Sequence, residues 1–211
     1  MLQQFLPKCP QLKHIILIGE QEDVDFVAED KFTFFDLLQC VPMIQALGIS
    51  DYYMKYLSAG GMPRKLPSSP LHLEHLFLHV CMTKQNETSS LLCMIMSSPL
   101  LVKIGLWVYG DEKLSAKKDV TNLDPNDYPD LKLDHLKTLK IEAASITDFM
   151  IDFVKLIMAK SPVLKMVQIK LYDSVSVNEE LKMLKDLVQR QFPRASPSAN
   201  LFIVRDKHDD I

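Results

Sequence analysis

A six-residue pattern of apolar and polar positions, apolar-x-x-apolar-x-apolar, recurs six times along the chain. The copies begin at residues 12, 44, 73, 101, 136 and 164. A proline precedes five of the six copies, and proline ends a helix because it has no amide hydrogen to donate. The copies are Leu12-x-x-Ile15-x-Leu17, Ile44-x-x-Leu47-x-Ile49, Leu73-x-x-Leu76-x-Leu78, Leu101-x-x-Ile104-x-Leu106, Leu136-x-x-Leu139-x-Ile141 and Leu164-x-x-Val167-x-Ile169.

The last three positions of each copy predict a short strand, because alternate side chains of a strand point to opposite sides. Stacking such strands in parallel would bury the apolar positions in a continuous core, with each repeat covering its neighbour. The sequence therefore predicts an α/β fold. Its architecture would be a leucine-rich-repeat solenoid with parallel strands on the concave face and helices outside.

Helices are predicted between the strands, where a solenoid needs its outer wall. Two later helices begin at sequences typical of capping boxes. The second of these would present Val177, Leu181, Leu184 and Val188 on one buried face. The charged stretch 111–130 predicts a surface loop and a domain boundary. The predicted helices lie at 33–40, 51–59 and 85–98, and the capping boxes at 145–148 and 176–179.

The net charge, the cysteine spacing and the first residues of the sequence limit which partners, sites and location we expect. The net charge is −3, so charge gives no reason to expect binding to nucleic acid or to a membrane. The four cysteines form no CxxC pair, which favours reduced thiols over disulfides or a zinc site. With no secretory signal at the start of the sequence, we expect an intracellular protein of the cytoplasm or nucleus.

The second half of the chain resembles an FBD domain, and the first half resembles the leucine-rich region of plant F-box/FBD/LRR-repeat proteins. The resemblance spans residues from about 5 to 204. It implies a leucine-rich-repeat region at 1–130 and an FBD domain at 131–205 that caps the solenoid. A disordered tail is predicted at 206–211. The segments that carry it are Leu-Asp-His-Leu-Lys-Thr-Leu-Lys-Ile at 133–141, Phe-Val-Lys-Leu-Ile-Met-Ala-Lys-Ser-Pro at 153–162, Glu-Glu-Leu-Lys-Met-Leu-Lys-Asp-Leu at 179–187, Phe-Pro-Arg-Ala-Ser-Pro at 192–197 and, upstream, Tyr-Met-Lys-Tyr-Leu-Ser-Ala-Gly-Gly-Met-Pro at 53–63.

The resemblance implies a role in ubiquitin ligation. In that family an F-box docks on the Skp-type adaptor of a cullin-based (SCF-type) E3 ligase, and the repeats select the protein to be tagged. No F-box precedes the repeats here, so we expect a protein-binding module that would bind the adaptor only if an F-box were restored. Two alternatives stay open: an incomplete gene model of a full ligase subunit, and a remnant without function.

The sequence offers no catalytic constellation. A Gly-x-Ser-x-Gly elbow, an activated cysteine and a phosphate-binding loop are all missing, so we predict that the chain is not an enzyme and needs no cofactor. His72, His75 and His79 are the one histidine cluster. Four residues of a strand span roughly 13 Å, whereas zinc ligands lie within about 2.3 Å of the metal, so a metal site is not predicted.

The predicted strand register also assigns a set of side chains to the face opposite the core. Among these, Trp107 and Phe77 are the aromatic candidates for binding a partner, and the alternative is that loops or neighbouring side chains cover them. The small residues at 46, 48 and 50 would leave a hollow beside them. The predicted partner-binding residues are His75, Phe77, His79, Lys103, Trp107 and Lys140.

Overall fold

Seven strands form one all-parallel sheet, in which they follow the same order as along the chain. The α/β class is thereby confirmed. The computed structural model describes residues 2–19, 32–59, 63, 65–66, 72–110, 123–189 and 192–205. The strands are β1 His14–Leu17, β2 Ala46–Ile49, β3 His75–Cys81, β4 Lys103–Tyr109, β5 Thr138–Ala143, β6 Met166–Leu171 and β7 Asn200–Arg205.

All six predicted strands are present, and they pair in the register that the repeat predicts. Leu47 pairs with Leu76, Leu76 with Ile104, and Ile104 with Leu139. These four side chains are fully buried, and burying one leucine or isoleucine contributes roughly 1.5–3 kcal/mol to folding. The aligned apolar positions therefore form a continuous core beneath one face of the sheet, and the other face stays open.

All of the helices after α1 lie between successive strands, and the three predicted at 33–40, 51–59 and 85–98 are confirmed to within two residues. No helix in the described ranges is long and apolar enough to cross a membrane. Short 3-10 helices cover Leu6–Lys8 and Pro125–Asp127, and a π-helical turn covers Lys185–Gln189. The helices are α1 Leu2–Phe5, α2 Phe34–Cys40, α3 Asp51–Ser58, α4 Gln85–Met96, α5 Asp148–Lys160 and α6 Val177–Leu184.

Strand β7 was not predicted. It pairs in parallel with β6, with Val167 opposite Leu201 and Ile169 opposite Ile203. In the six-residue pattern, Leu201 and Ile203 would be the last two apolar positions. The first apolar position would then fall at residue 198, which is a serine, so the pattern fails there. The signal that remained was the alternation of Leu201 and Ile203 after a proline.

The predicted cap of α5 was wrong. Thr147, not Ser145, precedes the helix, and its side chain accepts a hydrogen bond from the backbone N–H of Met150 at 3.1 Å. The capping box of α6 is confirmed: Ser176 Oγ accepts from the N–H of Glu179 at 3.3 Å, and Glu179 accepts from the N–H of Ser176 at 2.8 Å.

The predicted buried face of α6 was also wrong. Val177, Leu181 and Val188 are exposed, and Met183 and Leu187 are buried instead. The reason is an ion pair and a wider turn. Glu180 on the inward side meets Arg205 of β7 at 2.7 Å, and the π-helical turn after α6 breaks the period of 3.6 residues.

The proposed boundary at residue 130 stays a prediction, and the sheet crosses it without a break, since β4 and β5 pair along six residues. Residues 111–122 of the predicted loop lie outside the described residues, as does the predicted tail at 206–211. In the described remainder of that loop Leu123 is buried, as is Leu131 directly after its end.

One carboxyl group lies inside the protein. Glu87, in the first turn of α4, accepts a hydrogen bond from the backbone N–H of Cys81 at 2.7 Å. Burial raises the pKa of Glu87, although that hydrogen bond and the charges of Lys84 and Lys55 act in the opposite direction. The carboxyl also interacts with the nearby hydroxyl of Tyr109, and this interaction acts to lower the pKa of Glu87.

We expect the substitution Thr147→Ala to destabilise the protein by about 1 kcal/mol, because it removes the N-cap of α5. Ser145→Ala is the matched control, since the buried Ser145 hydroxyl has no hydrogen-bond partner among the described residues and its loss should cost nothing. Urea unfolding of both variants measures the difference. Equal destabilisation by the two substitutions would contradict the assignment of the cap.

We expect Glu87→Gln to stabilise the protein at pH 7, with a benefit that shrinks as the pH falls toward 4. A carboxyl whose pKa is raised on folding contributes stability below its unfolded pKa and loses it as the pH rises through the folded value. The amide keeps an oxygen for the Cys81 N–H and has no charge to bury. Denaturant unfolding across this pH range tests the prediction, and a constant gap between the two proteins would contradict it.

Candidate functional site

The open face is defined here as the side chains of the seven strands, with those directly following β1 and β2, that point away from the core. They form three rows that run across the strands, because all the strands are parallel and share one register. The first row is His14, Ala46, His75, Lys103, Thr138, Met166 and Asn200; the second is Ile16, Gly48, Phe77, Gly105, Lys140, Gln168 and Phe202; the third is Ile18, Ser50, His79, Trp107, Glu142, Lys170 and Val204.

Trp107 lies at the centre of an aromatic ladder, formed by His79, Trp107 and Tyr172. Its ring stacks on His79 at 5.3 Å and on Tyr172 at 5.1 Å between ring centroids. The Tyr172 hydroxyl donates to Glu142 Oε2 at 2.6 Å and so anchors the far end of the ladder. Trp107 is nevertheless 38% exposed, so its ring is held in place while one surface faces solvent.

Phe77 lies across a glycine of the next strand. A Cβ atom added at Gly105 would be 2.5 Å from Phe77 Cδ1, so only glycine allows this ring position. The Lys103 ammonium, on the same strand as Gly105, is 5.1 Å from the centroid of the Phe77 ring, within the range of a cation–π interaction. Phe77 is 41% exposed, like Trp107, so neither ring is fully covered.

Two depressions flank Phe77. The Gly48 hollow, about 510 Å³ in volume, lies over β1 and β2 between Ile16, Ile18 and Phe77. Its presence confirms the expectation that the small residues at 46, 48 and 50 leave space. The Gly105 depression, about 180 Å³, lies between Phe77, Trp107 and Lys140. An apolar hollow and a smaller, more polar depression thus stand side by side along the second row.

All six predicted partner-binding residues lie on this face, although their role in binding stays a prediction. His75, Phe77 and His79 come from β3, Lys103 and Trp107 from β4, and Lys140 from β5. Tyr172 was missed, because it follows β6 beyond the end of the repeat pattern. The alternation of side chains from Lys170 to Tyr172 was the signal that could have found it.

The described residues hold no group of three or more His, Cys, Asp or Glu side chains placed to bind a metal ion. The Nδ1 atom of His75 is buried without a hydrogen-bond partner among them. The four cysteines are free thiols; burial raises the pKa of Cys93, and burial together with the charge of Asp36 raises that of Cys40. These shifts keep both groups in the protonated form, which is the less nucleophilic one.

Comparison with known proteins gives one relative. An F-box/FBD/LRR-repeat protein of Arabidopsis thaliana is 30% identical to this chain over 205 residues. The chain is a homologue of that Arabidopsis protein over almost all of its own length. The alignment covers 96% of this chain and 49% of the relative. This chain therefore spans about half the length of the curated protein that it matches. No family model and no solved structure matches it.

We expect Gly105→Ala to displace the Phe77 ring into solvent, because the new Cβ would overlap it. Gly48→Ala is the matched control, since its Cβ would meet Ile16 at an ordinary 3.4 Å. Aromatic NMR signals of Phe77 report the displacement. Urea unfolding should show less than about 1 kcal/mol of change for either variant, since alanine suits a strand better than glycine. Unchanged Phe77 signals in Gly105→Ala would contradict the contact.

Proposed function

We propose that this chain is a protein-binding module and that its open face holds the partner. The observation that carries the proposal is the ordered but exposed Trp107, supported on both sides by the aromatic ladder and flanked by two depressions. Partly exposed tryptophans in such surroundings often dominate binding, at about 2 kcal/mol or more each. Because the ladder already orders the ring, little conformational entropy would be lost when a partner binds.

The proposed architecture is a leucine-rich-repeat solenoid with β1 to β7 on its concave face and residues 131–205 as an FBD cap. The sequential, all-parallel strand order supports this architecture, because each repeat then contacts only its neighbours. The open face would be the inner surface of the solenoid. Surfaces of that shape suit the wrapping of a protein partner better than the binding of a small molecule.

The proposed biological role is substrate recognition for an SCF-type ubiquitin ligase. Two observations support this role. The name of the Arabidopsis relative contains the term F-box, and the open face has the features of a binding surface. In this role the chain would catalyse nothing itself. It would hold a protein, and a Skp-type adaptor bound to an F-box would connect that protein to the ligase.

We expect Trp107→Ala to weaken capture of the partner by tenfold or more, the equivalent of about 1.4 kcal/mol. The chain is immobilised, exposed to an extract of its own organism, and the bound proteins are quantified by mass spectrometry. Val177→Ala is the control, because Val177 is 67% exposed but lies on α6, away from the open face. Both variants should still unfold cooperatively, with a lower melting temperature for Trp107→Ala because it loses two stacking contacts. If Trp107→Ala captures the same proteins in the same amounts as the parent protein, the proposed binding face is wrong.

A further inference from the structure

The second row is a channel across the strands. Gly48 has no side chain, and the Phe77 ring lies over Gly105, so the row is open at the Gly48 hollow and, beyond that ring, at the Gly105 depression. The aromatic ladder bounds it toward the carboxyl ends of the strands, and Lys103 stands on the other side. An extended peptide that crosses the strands would fit along this row, with alternate side chains pointing down into the two depressions.

One end of the channel is apolar. Ile16 and Ile18 are 74% and 78% exposed, and they line the Gly48 hollow together with Phe77. Neighbouring isoleucines that are this exposed gain from being covered by an apolar group. The hollow therefore favours an aliphatic or aromatic side chain of a partner.

At the other end of the channel, Lys140 and Glu142 both line the Gly105 depression, but the open face as a whole has more positive than negative side chains, in contrast to the chain. The net charge of the protein is −3, yet the three rows contain three lysines and a single acidic residue, Glu142. One oxygen of that carboxylate accepts the hydrogen bond of Tyr172. Lys140 is exposed in the second row, and Lys103 lies one strand away. Charge complementarity thus favours carboxylates on the partner.

The distance between the two ends of the channel sets the separation of the two partner side chains that would bind there. Gly48 is on β2 and Lys140 on β5, so three strand intervals of about 4.8 Å separate them, roughly 14 Å in all. An extended peptide covers this distance in about four residues, and side chains four apart point to the same side. Resting on the proposed function, we propose that the open face binds an extended acidic peptide segment that places an apolar side chain in the Gly48 hollow and an Asp or Glu four residues away at Lys140.

A display library of random ten-residue peptides, selected on the full chain, tests this proposal. We expect the recovered peptides to share a large apolar residue and an Asp or Glu four positions from it, in either chain direction. Peptides that are basic, or that show no charge preference, would overturn the proposal. So would binding that requires phosphoserine in a second, phosphorylated library, because the carboxylate would then be the wrong anion.

Point variants measured with one recovered peptide, by fluorescence anisotropy, assign the two ends. Lys140→Glu should weaken binding about tenfold or more and reduce its salt dependence, because it reverses a charge at the site. Ile16→Ser should weaken binding severalfold without changing the salt dependence. Lys185→Glu makes the same charge change on the exposed π-helical turn after α6 and should leave binding within about twofold. Equal effects of Lys140→Glu and Lys185→Glu would overturn the assignment.

Failure of this inference is distinguishable from failure of the proposed function. If the library gives no peptide but a protein from the extract still binds in a Trp107-dependent manner, the open face is a binding site for a folded surface, and the extended acidic segment is wrong. If neither peptides nor proteins depend on Trp107, the proposed function itself is wrong. Circular dichroism melting curves of the variants show whether each is folded.

Discussion

The continuous parallel ladder of backbone hydrogen bonds, held in a single register, is the constraint on which the rest of the structure depends. A shift of one residue between two strands would turn leucines such as Leu76 from the core to solvent, so burial fixes the register of every pair. The same register aligns the side chains on the opposite face into rows. The channel, the aromatic ladder and the lysines of the open face are therefore consequences of how the core is packed.

The elements that could be predicted are those that burial specifies. The six repeat strands follow from their apolar spacing, because each contributes alternate side chains to one core, and the capping box at Ser176 follows from local backbone chemistry. The errors occurred where tertiary contacts overrule the local pattern. The inward face of α6 buries Met183 and Leu187, and Glu180 on the same side meets Arg205, a residue of the strand that the pattern missed. Thr147 rather than Ser145 caps α5, because it is the Thr147 hydroxyl that reaches the backbone N–H of Met150.

The site was predictable to the same extent. Alternation along the strands placed Trp107, Phe77 and Lys140 on the open face without any structure. It could not give the position of the Phe77 ring over Gly105, or the stacking of Trp107 between His79 and Tyr172. Those contacts join side chains of different strands. The rotamers that form them depend on which strands are neighbours in the sheet, and the local sequence does not contain that information.

The two glycines of the second row show how stability and function divide between the faces. A glycine inside a strand costs roughly 0.5–1 kcal/mol relative to alanine, since it loses more conformational freedom on folding. Gly48 and Gly105 nevertheless lie in the middle of the sheet, where neither has a positive φ that would require glycine. Their places are explained by the open face, because a Cβ at Gly105 would overlap the Phe77 ring and one at Gly48 would take up part of the Gly48 hollow. The core, built from leucines such as Leu47 and Leu139, can bear this cost because it gains far more from burial.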